Sequence, residues 1–145
     1  MTEWLSLTRE DPVDPDRRIV DSHHHLWGEG HRTNAATYSG GDEPPYLPRH
    51  LHADMGGHRF IGSIFVECGI GYRPDGPEHL RPVGETEFVA GQAELALGMG
   101  PPVLGIVSDI DLALVDLLDE MLEAHVAAGK GLFRGVRRMP VGYGR

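Results

Sequence analysis

Four short apolar segments recur along the chain, separated by polar and glycine-rich sequence. The second segment, Phe60–Glu67, is nearly continuous in apolar residues, and Val103–Val107 repeats this pattern after a pair of prolines. Runs of this kind are typical of strands that are covered on both faces, as in a parallel sheet. The first and fourth segments, Arg18–Leu26 and Leu132–Arg138, mix apolar with charged residues. We therefore predict four strands.

Helix-like patterns fill the gaps between these strands. Leu47–Met55 predicts a short helix that ends at two glycines, and Glu85–Leu97 predicts a longer one with acidic residues in its first turn. The clearest helical period precedes the fourth strand, where apolar residues recur on one face. That stripe consists of Leu114, Leu117, Leu118, Met121, Leu122 and His125. We expect Asp109 or Asp111 to cap this helix and Gly129 to end it.

The alternation of strand and helix predicts an α/β fold with right-handed crossovers and a parallel sheet. Residues 1–17 form an irregular N-terminal arm in this interpretation, because two Asp-Pro pairs interrupt them. Residues 18–145 then form one domain, with long loops at 28–45 and 69–84. A length of 145 residues suffices for a domain with a core of its own.

Composition narrows the possible function classes. The net charge of −9 argues against nucleic acid or an anionic membrane surface as a partner. No apolar run approaches the roughly 20 residues that a membrane helix needs. The single cysteine, Cys68, cannot form an internal disulfide, which favours a reducing, cytoplasmic compartment. We interpret this cysteine as a small buried residue rather than a nucleophile.

The candidate chemistry lies at the end of the first predicted strand, in Asp21-Ser22-His23-His24-His25. Side chains of a strand alternate between its faces, so His23 and His25 share one face and His24 points the other way, towards the helices. Two imidazoles one pleat apart can chelate one divalent metal, although a complete site needs a further ligand. Asp21 lies deeper on the same face, where a carboxylate can orient an imidazole. The alternative is that the histidine run is polar surface.

Two further positions lie at predicted strand ends. Glu67 ends the second strand, where it can bind substrate, orient a histidine or form an ion pair at the rim of the sheet. Arg137 and Arg138 end the fourth strand on opposite faces. Taken alone, these two residues also fit an ordinary pair of surface arginines.

The sequence resembles a known family. Asp-x-His-x-His at the end of a first strand resembles the amidohydrolase superfamily. The wider sequence, with IVDSHHHLW, FIGSIFVECG, GYRPDGPEHLRPVGETEFVAG and FRGVRR, is similar to the amidohydrolase-2 branch over nearly all of residues 18–138. That branch includes lactonases, decarboxylases and hydratases that act on small carboxylated compounds.

The resemblance implies a (β/α)₈ TIM barrel with its active site at the C-terminal ends of the strands. His23 and His25 would match the first two ligands of a divalent metal, with zinc expected. The family's later histidine and aspartate cannot be placed on this sequence, so it resembles the N-terminal half of a barrel, with about four parallel strands alternating with helices. Arg137 matches an arginine that binds a substrate carboxylate in related lactonases. Some lactonases of this branch keep the histidines and work without a metal.

The activity expected of the parent enzyme is hydrolysis of a lactone, ester or amide of a small carboxylated compound, with decarboxylation or hydration as alternatives. We expect little or no turnover from this chain alone, because half of the family's catalytic groups are missing. A non-catalytic half-barrel for assembly or binding is a further hypothesis, since unpaired edge strands favour association, including with a second copy. An unrelated open α/β domain is another, although Gly69-x-Gly71 lacks the later glycine of a nucleotide-binding loop.

Overall fold

A computed structural model describes residues 10–11, 13–31 and 44–138. Within these residues, four strands form one parallel sheet whose spatial order follows the chain. The strands are β1 (Ile19–His24), β2 (Phe60–Val66), β3 (Val103–Asp109) and β4 (Phe133–Arg137). The predicted α/β fold with four parallel strands is confirmed, and the strand bounds differ from the predicted ones by one or two residues at several ends.

Helices connect consecutive strands, as predicted. They are α1 (Pro48–Asp54), α2 (Val83–Leu95) and α3 (Leu118–Ala128), with single 3₁₀ turns at Glu78–Leu80 and Val115–Leu117. None of these helices is long and apolar enough to span a membrane, among the residues described. Residues 1–9, 12 and 32–43, which include most of the predicted arm and much of the first loop, lie outside the described residues.

The hydrophobic core lies between the sheet and its helices. Phe65 of β2 and Ile106 of β3 have no exposed surface, and they belong to one cluster with Val89 and Ala90 of α2. Burial of a large apolar side chain contributes about 1.5–3 kcal/mol to stability, so these contacts hold α2 on the strands. The position of α2 matters for function because its first turn lies beside the end of β2.

A buried polar network joins the same layers. The Thr86 hydroxyl lies 2.7 Å from the Ser108 hydroxyl and 2.8 Å from Nδ1 of His125, linking α2, β3 and α3. The His125 ring stacks on Phe133 at a centroid distance of 5.7 Å. Burial lowers the pKa of His125 to about 4, so the ring is neutral at physiological pH. This placement confirms that His125 belongs to the packing.

The helical stripe before β4 is only partly buried, which corrects the prediction from periodicity. Met121 and His125 are buried, whereas Leu114 and Leu122 are 39% and 38% exposed. Leu114 lies in a turn rather than in the helix: the Asp111 carboxylate accepts a hydrogen bond from the backbone N–H of Ala113, and α3 starts only at Leu118. Neither predicted aspartate caps this helix.

Each pair of neighbouring strands contains at least one register shift, where a residue of one strand lacks a counterpart. Such bulges bend a strand and increase its twist. Exposure of the sheet is also uneven, because Val20 and Leu104 lie on strands and remain 43% and 39% exposed. The sheet is therefore irregular in register and incompletely covered within the described residues.

Two glycines of α2 give a matched test of the packing. A Cβ on Gly84 would overlap the Gly71 carbonyl oxygen and lie 2.7 Å from the Arg73 nitrogen, whereas a Cβ on Gly91 would meet nothing within 4 Å. We predict that Gly84→Ala lowers the free energy of unfolding by about 1–3 kcal/mol, because backbone cannot yield easily. Gly91→Ala should raise it by about 0.5–1 kcal/mol. Urea unfolding measures both, and changes of the same sign would contradict the packing described.

Candidate functional site

The two histidines predicted to act together do lie together, at the C-terminal end of β1. The ring centroids of His23 and His25 are 4.9 Å apart, with an angle of 88° between the ring planes. A register shift falls between Asp21 and His24, so strict alternation does not continue through this stretch. His23 is exposed and His25 is half-buried, while His24 between them is buried.

The carbonyl oxygen of Val66 fixes the ring of His25. Nδ1 of His25 lies 2.7 Å from that oxygen. A carbonyl only accepts hydrogen bonds, so Nδ1 carries the proton and Nε2 keeps its lone pair. Burial lowers the pKa of His25, which favours the neutral ring. A neutral imidazole whose second nitrogen is anchored is the form that binds metals.

His24 packs into the molecule, as predicted. Its ring is 6% exposed and lies edge-on to Phe65 at a centroid distance of 5.9 Å. Neither ring nitrogen has a hydrogen-bond partner among the described residues. Burial lowers its pKa to about 4. His24 therefore belongs to the core and stands apart from the pair formed by His23 and His25.

Asp21 makes its hydrogen bond to backbone. Its Oδ1 accepts the N–H of His23 at 3.1 Å. Aspartate commonly bonds to a backbone group two residues ahead, and this contact stabilises a local bend. Asp21 thus shapes the backbone that carries His23, and the hydrogen bond it makes is not to an imidazole.

Glu67 and Arg137 form an ion pair beside the histidines. Arg137 donates from Nε to Oε1 of Glu67 at 2.7 Å and from Nη2 to the Glu67 carbonyl oxygen at 2.5 Å. The Glu67 side chain is only 3% exposed, so this charge-assisted pair is largely removed from water. The third nitrogen, Nη1, lies 3.5 Å from Nε2 of His23. The ion pair is one of the roles predicted for Glu67, and its binding of a substrate stays a prediction.

A second group of polar residues lies at the ends of β3 and β4. Asp109 accepts hydrogen bonds from the Tyr72 hydroxyl at 2.8 Å and from Nη1 of Arg138 at 3.0 Å. These residues line a cleft of about 510 Å³ together with Asp111 and Leu117. The two consecutive arginines therefore belong to different sites. Arg137 lies beside His23, and Arg138 lines the cleft.

Sequence reasoning considered Asp109 only as a helix cap and missed this cleft. A signal was present, because an acidic residue at the carboxyl end of one parallel strand lies near the end of the next strand. Arg138 carries the opposite charge directly after β4. The cleft itself depends on the loop that carries Tyr72, whose path has no regular pattern in the sequence.

Glu85 was also missed, because an acidic residue in a first helical turn is ordinary. It is 1% exposed, and burial raises its pKa to about 7. Oε1 accepts the backbone N–H of Cys68 at 2.9 Å and of Ile70 at 3.2 Å. Cys68 is 6% exposed, as predicted, and burial raises the pKa of its thiol, so it is not a thiolate at neutral pH.

A metal site needs more protein ligands than the two imidazoles of His23 and His25. Two rings on one zinc ion, with Zn–N bonds of about 2.0–2.1 Å in tetrahedral geometry, have centroids roughly 5 Å apart, close to the 4.9 Å observed. Within 10–11, 13–31 and 44–138, however, no group of three His, Cys, Asp or Glu residues is arranged to hold a metal. The described part of the chain therefore brings two imidazoles together, and their binding of a metal stays a prediction.

Comparison with known proteins found no match for this chain. No protein-family model, no curated protein and no solved structure matches the chain. The basis for assigning chemistry is therefore the geometry of His23, His25, Glu67 and Arg137 at the ends of three parallel strands.

The raised pKa of Glu85 predicts a pH dependence of stability. Its pKa is about 7 in the folded protein against 4.5 ordinarily, so between these values the folded state binds more protons than the unfolded state. The contribution of Glu85 to the unfolding free energy is present below about pH 4.5 and is lost as pH rises to about 7, by at most about 3 kcal/mol. Glu85→Gln should remove this loss and be more stable than the wild type at pH 8.

Urea unfolding between pH 4 and pH 8 measures the difference between the two proteins. Glu123→Gln, at an exposed position of α3, controls for the change in net charge. Equal pH slopes in the wild type and Glu85→Gln would show that Glu85 does not titrate in this range.

Proposed function

We propose that this chain is the N-terminal half of an amidohydrolase-like (β/α)₈ barrel, and that the complete protein is a metal-dependent hydrolase. The observation that carries the proposal is the convergence of His23, His25 and Arg137 at the carboxyl ends of parallel strands. Active sites of such barrels lie at this end. Four parallel strands in chain order, alternating with helices, are half of that architecture. The register shifts between neighbouring strands support a sheet that curves.

His23 and His25 would hold the metal, with zinc favoured by imidazole ligands. When bound, the metal supplies a Lewis acid for a substrate carbonyl and an activated water. Catalytic zinc sites use three protein ligands, so the remaining ligand comes from outside the described residues. The anchoring of His25 on Val66 prepares this residue, because the ring already has the required tautomer.

Arg137 is placed to handle the substrate. Two of its three nitrogens bond to Glu67, which leaves Nη1 directed to the side of His23. An N–H held there can donate to a substrate carboxylate or to the oxygen that becomes negative during attack on a carbonyl. Glu67 balances the guanidinium charge, so the pair is close to neutral before substrate binds. The N–H group of Nη1 beside His23 favours a substrate with an acceptor oxygen there, such as a small carboxylated lactone, ester or amide.

One observation favours a second candidate, the same hydrolysis without a metal. Nη1 of Arg137 lies 3.5 Å from Nε2 of His23. That ring nitrogen is the one that would bind the metal. In this case Arg137 polarises the substrate carbonyl, and a neutral imidazole accepts a proton from the attacking water. The same residues carry both candidates, and metal binding discriminates between them.

Zinc titration of the chain tests the metal-dependent proposal. We predict that the wild type binds one zinc ion, and that His23→Ala and His25→Ala each weaken binding at least about tenfold, because each removes a ligand. His58→Ala is the matched control, since His58 is exposed and distant in the chain from the pair. Calorimetry and the zinc content after dialysis measure the effect. Equal binding by all four proteins would reject this metal site and favour the metal-free candidate.

A further inference from the structure

Glu85 has a role that its burial in the core does not explain. It lies in the first turn of α2, and its Oε1 accepts two backbone N–H groups of the segment that follows β2, those of Cys68 and Ile70. A buried carboxyl group is costly, because its charged form loses hydration. The chain keeps this group although burial raises its pKa to about 7. Its hydrogen bonds lead directly to the candidate site.

The link passes through one peptide group. The N–H of Cys68 and the C=O of Glu67 belong to the same planar unit, which resists twisting. Glu85 accepts from the N–H end at 2.9 Å, and Nη2 of Arg137 donates to the C=O end at 2.5 Å. A carboxyl group and a guanidinium thus bind opposite ends of one rigid dipole. Hydrogen bonds in such a chain polarise and strengthen one another.

The neighbouring peptide group is held by other contacts. Its carbonyl, from Val66, bonds to His25, and its N–H, from Glu67, donates to Val107 of β3 at 2.8 Å. The remaining freedom at this strand end is rotation of the Glu67–Cys68 peptide group. Glu85 removes that freedom from the side opposite to Arg137.

We propose that Glu85 is a positioning residue of the candidate site. It fixes the Glu67–Cys68 peptide group, and through the Glu67 carbonyl and carboxylate it holds Arg137 with Nη1 beside His23. This inference rests on the proposed function for its significance, but the arrangement exists in the metal-free protein. Glu85 touches neither metal nor substrate in this role.

Hydrogen exchange of the Arg137 Nε–H, followed by NMR in the ¹⁵N-labelled metal-free chain, tests the proposal. We expect Glu85→Ala to accelerate this exchange about tenfold, because the peptide group that supports the ion pair can then turn. Glu85→Gln should stay within about twofold of the wild type, since its amide oxygen can accept the same two N–H groups. Glu123→Ala, at an exposed position of α3, should leave the exchange rate unchanged.

Backbone exchange at Ile106, in the core, reports whether each variant is folded. Should Glu85→Ala not fold, Glu85→Asp replaces it, because one fewer methylene withdraws the oxygen while the carboxyl group remains. The proposal is overturned if Cys68 and Ile70 lose amide protection in the folded variant while Arg137 keeps its own, since Glu85 would then only secure the loop. Failure of the wild type to bind zinc would count against the proposed function and would leave this exchange result intact.

Discussion

Everything at the candidate site depends on two successive carbonyl groups at the end of β2. Carbonyls of consecutive strand residues point to opposite sides of the strand. The Val66 carbonyl therefore faces β1 and holds His25, while the Glu67 carbonyl faces β3 and β4 and holds Arg137. The distance between imidazole and guanidinium is thus set by ordinary strand geometry. β2 acts as a template for side chains that come from strands on either side of it.

Buried ionisable groups surround this end of β2. Glu67 and Glu85 are both almost fully buried and lie close enough for each to raise the pKa of groups around them. Arg137 is the cation that offsets the first of them. Loss of Arg137 would leave a carboxylate with 3% exposure without this cation, so the pair is also a structural constraint. Stability and site geometry are consequently linked through the same few atoms.

Much of the fold could be predicted from the sequence, because buried parallel strands are long apolar runs and helices occupy the intervals between them. The pairing of His23 with His25 followed from alternation, but the shift near His24 did not, since a bulge has no residue signature here. The Glu67–Arg137 contact joins residues 70 positions apart, and no local pattern predicts such a partner. The role of Glu85 was not predicted, because the sequence around it does not indicate which segment packs against α2. Local pattern therefore predicted the elements, while long-range contacts decided the chemistry.

The ion pair also bears on the order in which the protein acquires its structure during synthesis. A ribosome makes Glu67 well before Arg137, and domains form as their segments emerge. Until β4 docks, the Glu67 carboxylate lacks Arg137 as a partner, and burial of an unpaired carboxylate is costly. Arrival of Arg137 neutralises this charge at the moment when the last described strand joins the sheet. The ion pair thus links docking of β4, at the edge of the four-stranded sheet, to burial of the Glu67 carboxylate.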